Sequence, residues 1–327
     1  MNVRHDIYLL LLLLSFGMVA CSTDASADME EERMPVAFST SFSAVTRSST
    51  IDNMWISGDA VAVSNGTDTY LYTAAANSTA GGRVNLTYGT YELQFFWPTS
   101  DPNWSFTAWY PYNNGTQWTS ATVAADQSVY DDTHDPATGI TDDAYHAYDL
   151  LYAPSVTPGY HKRTHLVFYH QLAHVVVNAT VTPKTGSTAT EEITDIFLGS
   201  DNVALTGGLT MGTAGASVET PTIAWTIAPA DQENTITMRH AATANTLYTY
   251  ECMMLPQTVG DADTPLLTIK TSDGSLERTY LYKSSYTFLP GYEYTFTLTI
   301  TEVGMLKVQN LTIVGWGTGT GGTGTVK

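Results

Sequence analysis

The segment Tyr292-Glu293-Tyr294-Thr295-Phe296-Thr297-Leu298-Thr299-Ile300 alternates strictly, with Tyr292, Tyr294, Phe296, Leu298 and Ile300 on one side and Glu293 and three threonines on the other. A repeat of two is that of an extended strand and does not fit the 3.6-residue repeat of a helix. The segment therefore predicts a half-buried antiparallel strand. Shorter segments of the same kind recur and end on turn residues: Ala60-Val61-Ala62-Val63 stops at Asn65-Gly66, Tyr70-Leu71-Tyr72 runs toward Gly81-Gly82, and Tyr91-Glu92-Leu93-Gln94-Phe95-Phe96 stops at Pro98. Residues 264–270 and 275–283 continue the pattern, and residues 166–177 read as the strongest single strand. Short punctuated strands at this spacing predict an all-β chain built of sandwiches. The aromatic content, 20 Tyr, 7 Trp and 10 Phe, supplies large side chains for such cores. Only residues 141–152 predict a helix, with Thr141 as cap, Asp142 and Asp143 in the first turn, Tyr145, Tyr148 and Tyr152 on one face, and Pro154 as the stop.

The chain begins with a leader. Arg4 and His5 precede an apolar run over residues 7–20 that includes six consecutive leucines, Leu9 to Leu14. That run is shorter than the roughly 20 residues a bilayer span requires, so it predicts a secretory signal peptide over residues 1–20. Met18-Val19-Ala20-Cys21 places a small residue just before a cysteine, as a lipoprotein signal peptidase requires, and Cys21 is the expected lipidation site. Plain secretion with an incidental cysteine is the competing reading. Cys252 is then the one cysteine left besides the lipidated one, so no internal disulfide is expected, and its apolar segment predicts a small buried hydrophobe.

Residues 21–34 are small, polar and acidic and read as a spacer. The folded body divides best at Pro154, Pro158 and Gly159, giving an N-terminal domain over 35–160 and a C-terminal domain over 161–303. Residues 304–327 add a strand and a Gly/Thr-rich tail. In that last strand Leu306, Val308, Asn310 and Thr312 fall on one face, and Lys307, Gln309, Leu311 and Ile313 on the other. The tail is either a frayed end or a strand donated to a neighbouring subunit. If it folds onto its own domain, a place at a pilus tip or outside polymers is the expectation.

Charge narrows the partners. With 13 basic and 32 acidic residues the net charge is −19, which excludes nucleic acid and anionic lipid as default partners. Carboxylates suited to glycoside hydrolysis are abundant, as in any acidic chain, and so select nothing. No nucleophile elbow, phosphate loop, dinucleotide fingerprint or cysteine cluster occurs. No catalytic residue, cofactor or metal is therefore assigned, and the chain is not expected to be an enzyme. His170 and His174 would suggest a zinc pair on a helix, but in a strand they share a face with Leu166, Phe168, Leu172 and Val176, so core or rim histidines are the better account. Asp131, Asp132, His134, Asp135, Asp142 and Asp143 could gather calcium ligands, although their spacing matches no known loop. Trp97, Trp104, Trp109 and Trp118 crowd one stretch with Tyr110 and Tyr112. Core packing explains most of them, while Trp104 and Trp118, in polar loops, are candidate glycan contacts.

Taken in order, several segments resemble the fimbrillin-like family of the Bacteroidales, the lipoprotein subunits of type V pili. They are Trp55-Ile56-Ser57-Gly58-Asp59 with its following strand, Phe106-Thr107-Ala108-Trp109-Tyr110-Pro111-Tyr112, Asp149-Leu150-Leu151-Tyr152-Ala153, Leu255-Pro256-Gln257-Thr258, Leu289-Pro290-Gly291-Tyr292, and Trp316 near the C-terminus. The resemblance implies two tandem antiparallel β-sandwich domains with transthyretin-like character. It also implies delivery by the lipoprotein export machinery to the outer membrane and cell surface, and assembly with other fimbrial subunits by strand exchange. An arginine-specific protease would cut at Arg47 and release residues 35–42 as the removable strand, with Arg33 as the competing site. A host or bacterial surface glycan or protein would be the adhesion target. The alternative from a different class is a non-polymerising, glycan-binding surface lipoprotein.

Overall fold

The computed structural model of the chain describes residues 33–42, 54–79, 81–100, 102–129, 149–182, 191–211, 223–301, 306–315 and 322–324. The leader, Cys21, Arg47, the acidic cluster at 131–143 and residues 141–148 of the expected helix lie outside the described residues. From Pro35 onward the chain forms one compact unit.

The architecture is all-β, as the alternation requires. The first half contributes β1 (Phe38–Phe42), β2 (Ala60–Ser64), β3 (Thr69–Ala74), β4 (Val84–Tyr88), β5 (Phe106–Tyr110), β6 (Ser120–Thr122), β7 (Leu151–Val156) and β8 (Thr164–His170). All but β6 join one closed barrel in the order β1-β4-β3-β2-β5-β7-β8, with β8 pairing back onto β1. The β2–β3 connection is the turn signalled by Asn65-Gly66: Asn65 Oδ1 accepts from the backbone of Thr67 and Asp68, and Gly66 sits at φ +90°.

The remaining strands are β9 (Ala173–Val181), β10 (Glu192–Ala204), β11 (Thr206–Met211), β12 (Ile223–Thr226), β13 (Gln232–Thr237), β14 (Arg239–Ala244), β15 (Leu247–Met254) and β16 (Thr258–Val259). They are followed by β17 (Pro265–Ser272), β18 (Glu277–Lys283), β19 (Tyr286–Thr287), β20 (Tyr292–Ile300), β21 (Leu306–Gly315) and β22 (Gly322–Gly324). A sheet ordered β14-β15-β9-β20-β21-β22 and one ordered β13-β10-β17-β18 enclose a single core, to which Val175, Val177, Phe296 and Leu298 contribute from the first and Ile196, Leu198, Leu267 and Ile269 from the second. The core faces of two sheets meeting in this way make a sandwich. Ala62, Trp109 and Tyr152 belong to this core although their strands are in the barrel, so β2, β5 and β7 are buried on both faces. β6 pairs with β11, which links the two halves again.

Four sequence expectations change. Residues 149–152 are not helical: Asp149 and Leu150 lead into β7, where Leu151 and Tyr152 pair with β5 and β8 and are buried. Burial between two strands outweighs the helical spacing of the tyrosines. Pro154 lies inside β7, and the β5 ladder shifts register across Pro154 and Ser155, where proline cannot donate. The run 166–177 is two strands. It breaks at Gln171, whose N–H donates to Leu150 O at 2.8 Å, so His170 ends in the barrel and His174 in the large sheet. The strictly alternating β20 is antiparallel to β21 but parallel to β9, and β1 is parallel to β8.

The fourth change concerns β21. Its ladder with β20 carries one extra residue, Gln309, between the pairs Asn310–Thr297 and Val308–Leu298. A bulge of this kind shifts the alternation by one. Leu306 and Val308 consequently share the core side with Leu311 and Ile313, which the sequence placed on the opposite face.

Candidate functional site

β1 is the strand that closes the barrel. It makes five register pairs with β8, from Phe38–Thr164 to Phe42–Phe168, and two with β4. Its approach is fixed from outside the ladder: Val36 N–H donates to Phe95 O and Thr164 N–H to Ala37 O, at 2.8 and 2.9 Å. Alternation then sends Phe38, Thr40 and Phe42 into the barrel and Ser39 and Ser41 outward.

The two phenylalanines fill aromatic pockets. Phe38 meets Tyr72 and Phe106 edge-on, both with centroids at 5.0 Å, and Phe95 at 6.2 Å. Phe42 lies between Trp55 at 5.0 Å and His170 at 5.5 Å, stacked on both. His170 Nδ1 is 2.8 Å from Asp149 Oδ2, and both side chains are wholly buried. Stacked and edge-on pairs at these distances add to simple area burial. On the outer side His165 reaches both serines, with Nδ1 3.2 Å from Ser39 Oγ and Nε2 3.1 Å from Ser41 Oγ. Burial and then the charge of Arg83 lower the His165 pKa, against the opposing bond to Ser39. A segment placed like β1 can be recognised on both faces: large apolar groups within, hydroxyls without.

The sequence candidates fall as follows. Arg33 is exposed just ahead of β1. Trp104 is half-buried and stacked on Trp97 at 6.3 Å, with Phe95 and Phe106 beside it. Trp118 is half-buried against the sandwich core, which does not reach Trp104; the structure does not bring the two together in one core. Cys252 is a fully buried member of the sandwich core, and burial pushes its thiol up. Among the described residues no group of three or more His, Cys, Asp or Glu side chains could hold a metal ion.

Sequence reasoning missed a buried ladder of charge. Arg239 on β14 pairs with Glu251 on β15, Glu251 Oε2 lies 3.5 Å from His174 Nε2 on β9, and His174 Nδ1 lies 3.3 Å from Glu293 Oε2 on β20. Burial alone would raise the Glu251 carboxyl, yet His174 and Arg239 hold it well below the usual carboxylate range. The available signal was Glu251 and Glu293, each a lone acid in an apolar or alternating strand. His165 was passed over because its two serines lie more than a hundred residues away.

The C-terminal strands fold onto the chain itself: β21 pairs with β20 along its length and β22 pairs back on Leu311, Thr312 and Ile313.

The model of the fimbrillin-like family matches residues 46–316, and the chain belongs to that family. Among solved structures it is similar to a candidate cell adhesion protein from Bacteroides uniformis, at 18% identity over 88% of this chain and 98% of that one, with a TM-score of 0.58. It is also similar to a second from Bacteroides ovatus, at 14% identity over 85% and 97% and a TM-score of 0.55. The tip fimbrial protein Mfa3 from Porphyromonas gingivalis matches at 11% identity over 86% and 99%, with a TM-score of 0.42. No curated protein matches the chain.

Proposed function

We propose that this protein is a structural or adhesive fimbrial subunit, lipidated at Cys21, carried to the outer membrane, and assembled when cleavage at Arg47 lets β1 leave and another subunit's strand take its place. The observation that carries this reading is β1 itself. It is five residues long, it ends five residues before Arg47, and it closes the barrel through neighbours on either side. Withdrawal would leave β4 and β8 as two facing edges with aromatic pockets between them, which a strand from another chain fills by β-augmentation. Family membership and the two structures of similar fold support a fimbrial role. Non-enzymatic action fits that role.

The test is to treat purified precursor with an arginine-specific protease. We expect a new N-terminus at Ser48 and oligomers that increase with protein concentration. A chain cut at that bond that remains monomeric at high concentration would sink the exchange step.

A further inference from the structure

β1 is an imperfect fit to its own groove. Thr40, at its centre, is wholly buried, and its Oγ1 has no hydrogen-bond partner. Across the same seam Thr164 Oγ1, on β8 opposite Phe38, is buried and unpartnered too. A third case is Gln94, beside the Phe95 carbonyl that receives Val36 N–H: it is 3% exposed and neither amide atom is bonded. Buried polar groups without partners oppose the state that buries them. In the resident strand the hydroxyl of Thr40 therefore works against the two phenylalanines that flank it.

We infer that β1 is a deliberately weak occupant, and that the groove is matched to a strand of another polypeptide carrying an apolar β-branched residue where β1 has Thr40. This rests on the exchange reading above and specifies the partner. Its strand would read large apolar, hydroxyl, β-branched apolar, hydroxyl, aromatic. The first and last fill the pockets of Phe38 and Phe42, and the two hydroxyls meet His165 as Ser39 and Ser41 do. Valine has the shape of threonine without its hydroxyl, so the central position takes it with no change of packing volume. Residues 317–325 of this chain consist of glycine and threonine alone and offer nothing for either aromatic pocket, so that tail is not the matching strand.

The test uses the full chain after arginine-specific cleavage and two fluorescent peptides, one copying residues 35–42 and the other its Thr40→Val variant, followed by anisotropy. The variant peptide should bind about tenfold tighter, equivalent to about 1.4 kcal/mol. Equal or weaker binding of the variant overturns the inference and leaves strand exchange standing. If neither peptide binds the cleaved chain, exchange and inference fall together. In the uncut protein, Thr40→Val should raise the urea midpoint and slow the release of β1 after cleavage. A lowered midpoint would show that Thr40 Oγ1 is satisfied in the native state and would also overturn the inference.

Discussion

β1 and β21 each complete a sheet that the rest of the chain builds, but on different terms. β21 is ten residues long, pairs with β20 throughout, and carries only three-residue β22 on its far side. Of its described side chains only Leu311 is buried, at 4% exposure. β1 has half that length, yet Phe38, Ser39, Thr40 and Phe42 are all at 3% or less. Ladder length is thus a poor guide to what a strand does for the fold. β21 lies near an edge, and its loss would remove one buried core side chain, Leu311, and three that pack against the core, Leu306, Val308 and Ile313. β1 sits between two neighbours and fills the barrel, so its loss opens a groove.

The largest expected effect tests this contrast directly. Phe38→Ala removes a ring held among three others and should destabilise the protein by about 3–5 kcal/mol. Leu311→Ala, one side chain of an outer strand, should cost about 2 kcal/mol. Urea unfolding of both variants measures the difference. A larger loss from Leu311→Ala would reverse the ranking of the two strands and make β21 the segment that closes its domain.

How much of this was legible in the sequence depended on whether the deciding partner was near or far along the chain. The faces of β20 were readable because every second residue is apolar, and Tyr294, Phe296, Leu298 and Ile300 are buried as that pattern requires. Its parallel pairing with β9 was not, because alternation fixes which side faces the core and says nothing of a neighbour's direction. The helix expected at 141–152 shows the same limit at its end: Tyr152 has helical spacing from Tyr148, but β5 and β8 on either side decide its conformation. At the candidate site the alternation over residues 35–42 supplied the strand β1. It did not supply the pockets, since Tyr72, Phe95, Phe106 and Trp55 come from four different places in the chain.

A small effect is expected at the bulge of β21. Deleting Gln309 removes the extra residue, so that Leu306, Val308, Leu311 and Ile313 fall at every second position of a regular strand and all four can stay against the core. The deletion, like Gln309→Ala, should therefore stay within about 0.5 kcal/mol in urea unfolding. A loss of about 1–3 kcal/mol on deletion, the size expected when apolar area returns to water, would mean that Gln309 is not the extra residue that sets the face.

The smallest effect separates the two strands by pH. His165 holds Ser39 and Ser41 of β1, and its pKa is lowered in the folded state by burial and then by Arg83. A histidine whose folded pKa lies below its unfolded value near 6.5 binds fewer protons when folded. The stability it supports is therefore present above about pH 6.5 and declines as pH falls through the lower folded value. β21 contains no histidine, so nothing comparable acts on it. His165→Gln keeps hydrogen-bonding capacity without titrating, and the drop in urea midpoint between pH 7.5 and pH 5.5 should be smaller in that variant than in the wild type. The same drop in both would mean that His165 is not coupled to the seating of β1. His165→Ala, which loses the two serine contacts at any pH, should lower stability by about 1 kcal/mol at pH 7.5, and most of that loss should disappear if β1 has already been released by cleavage.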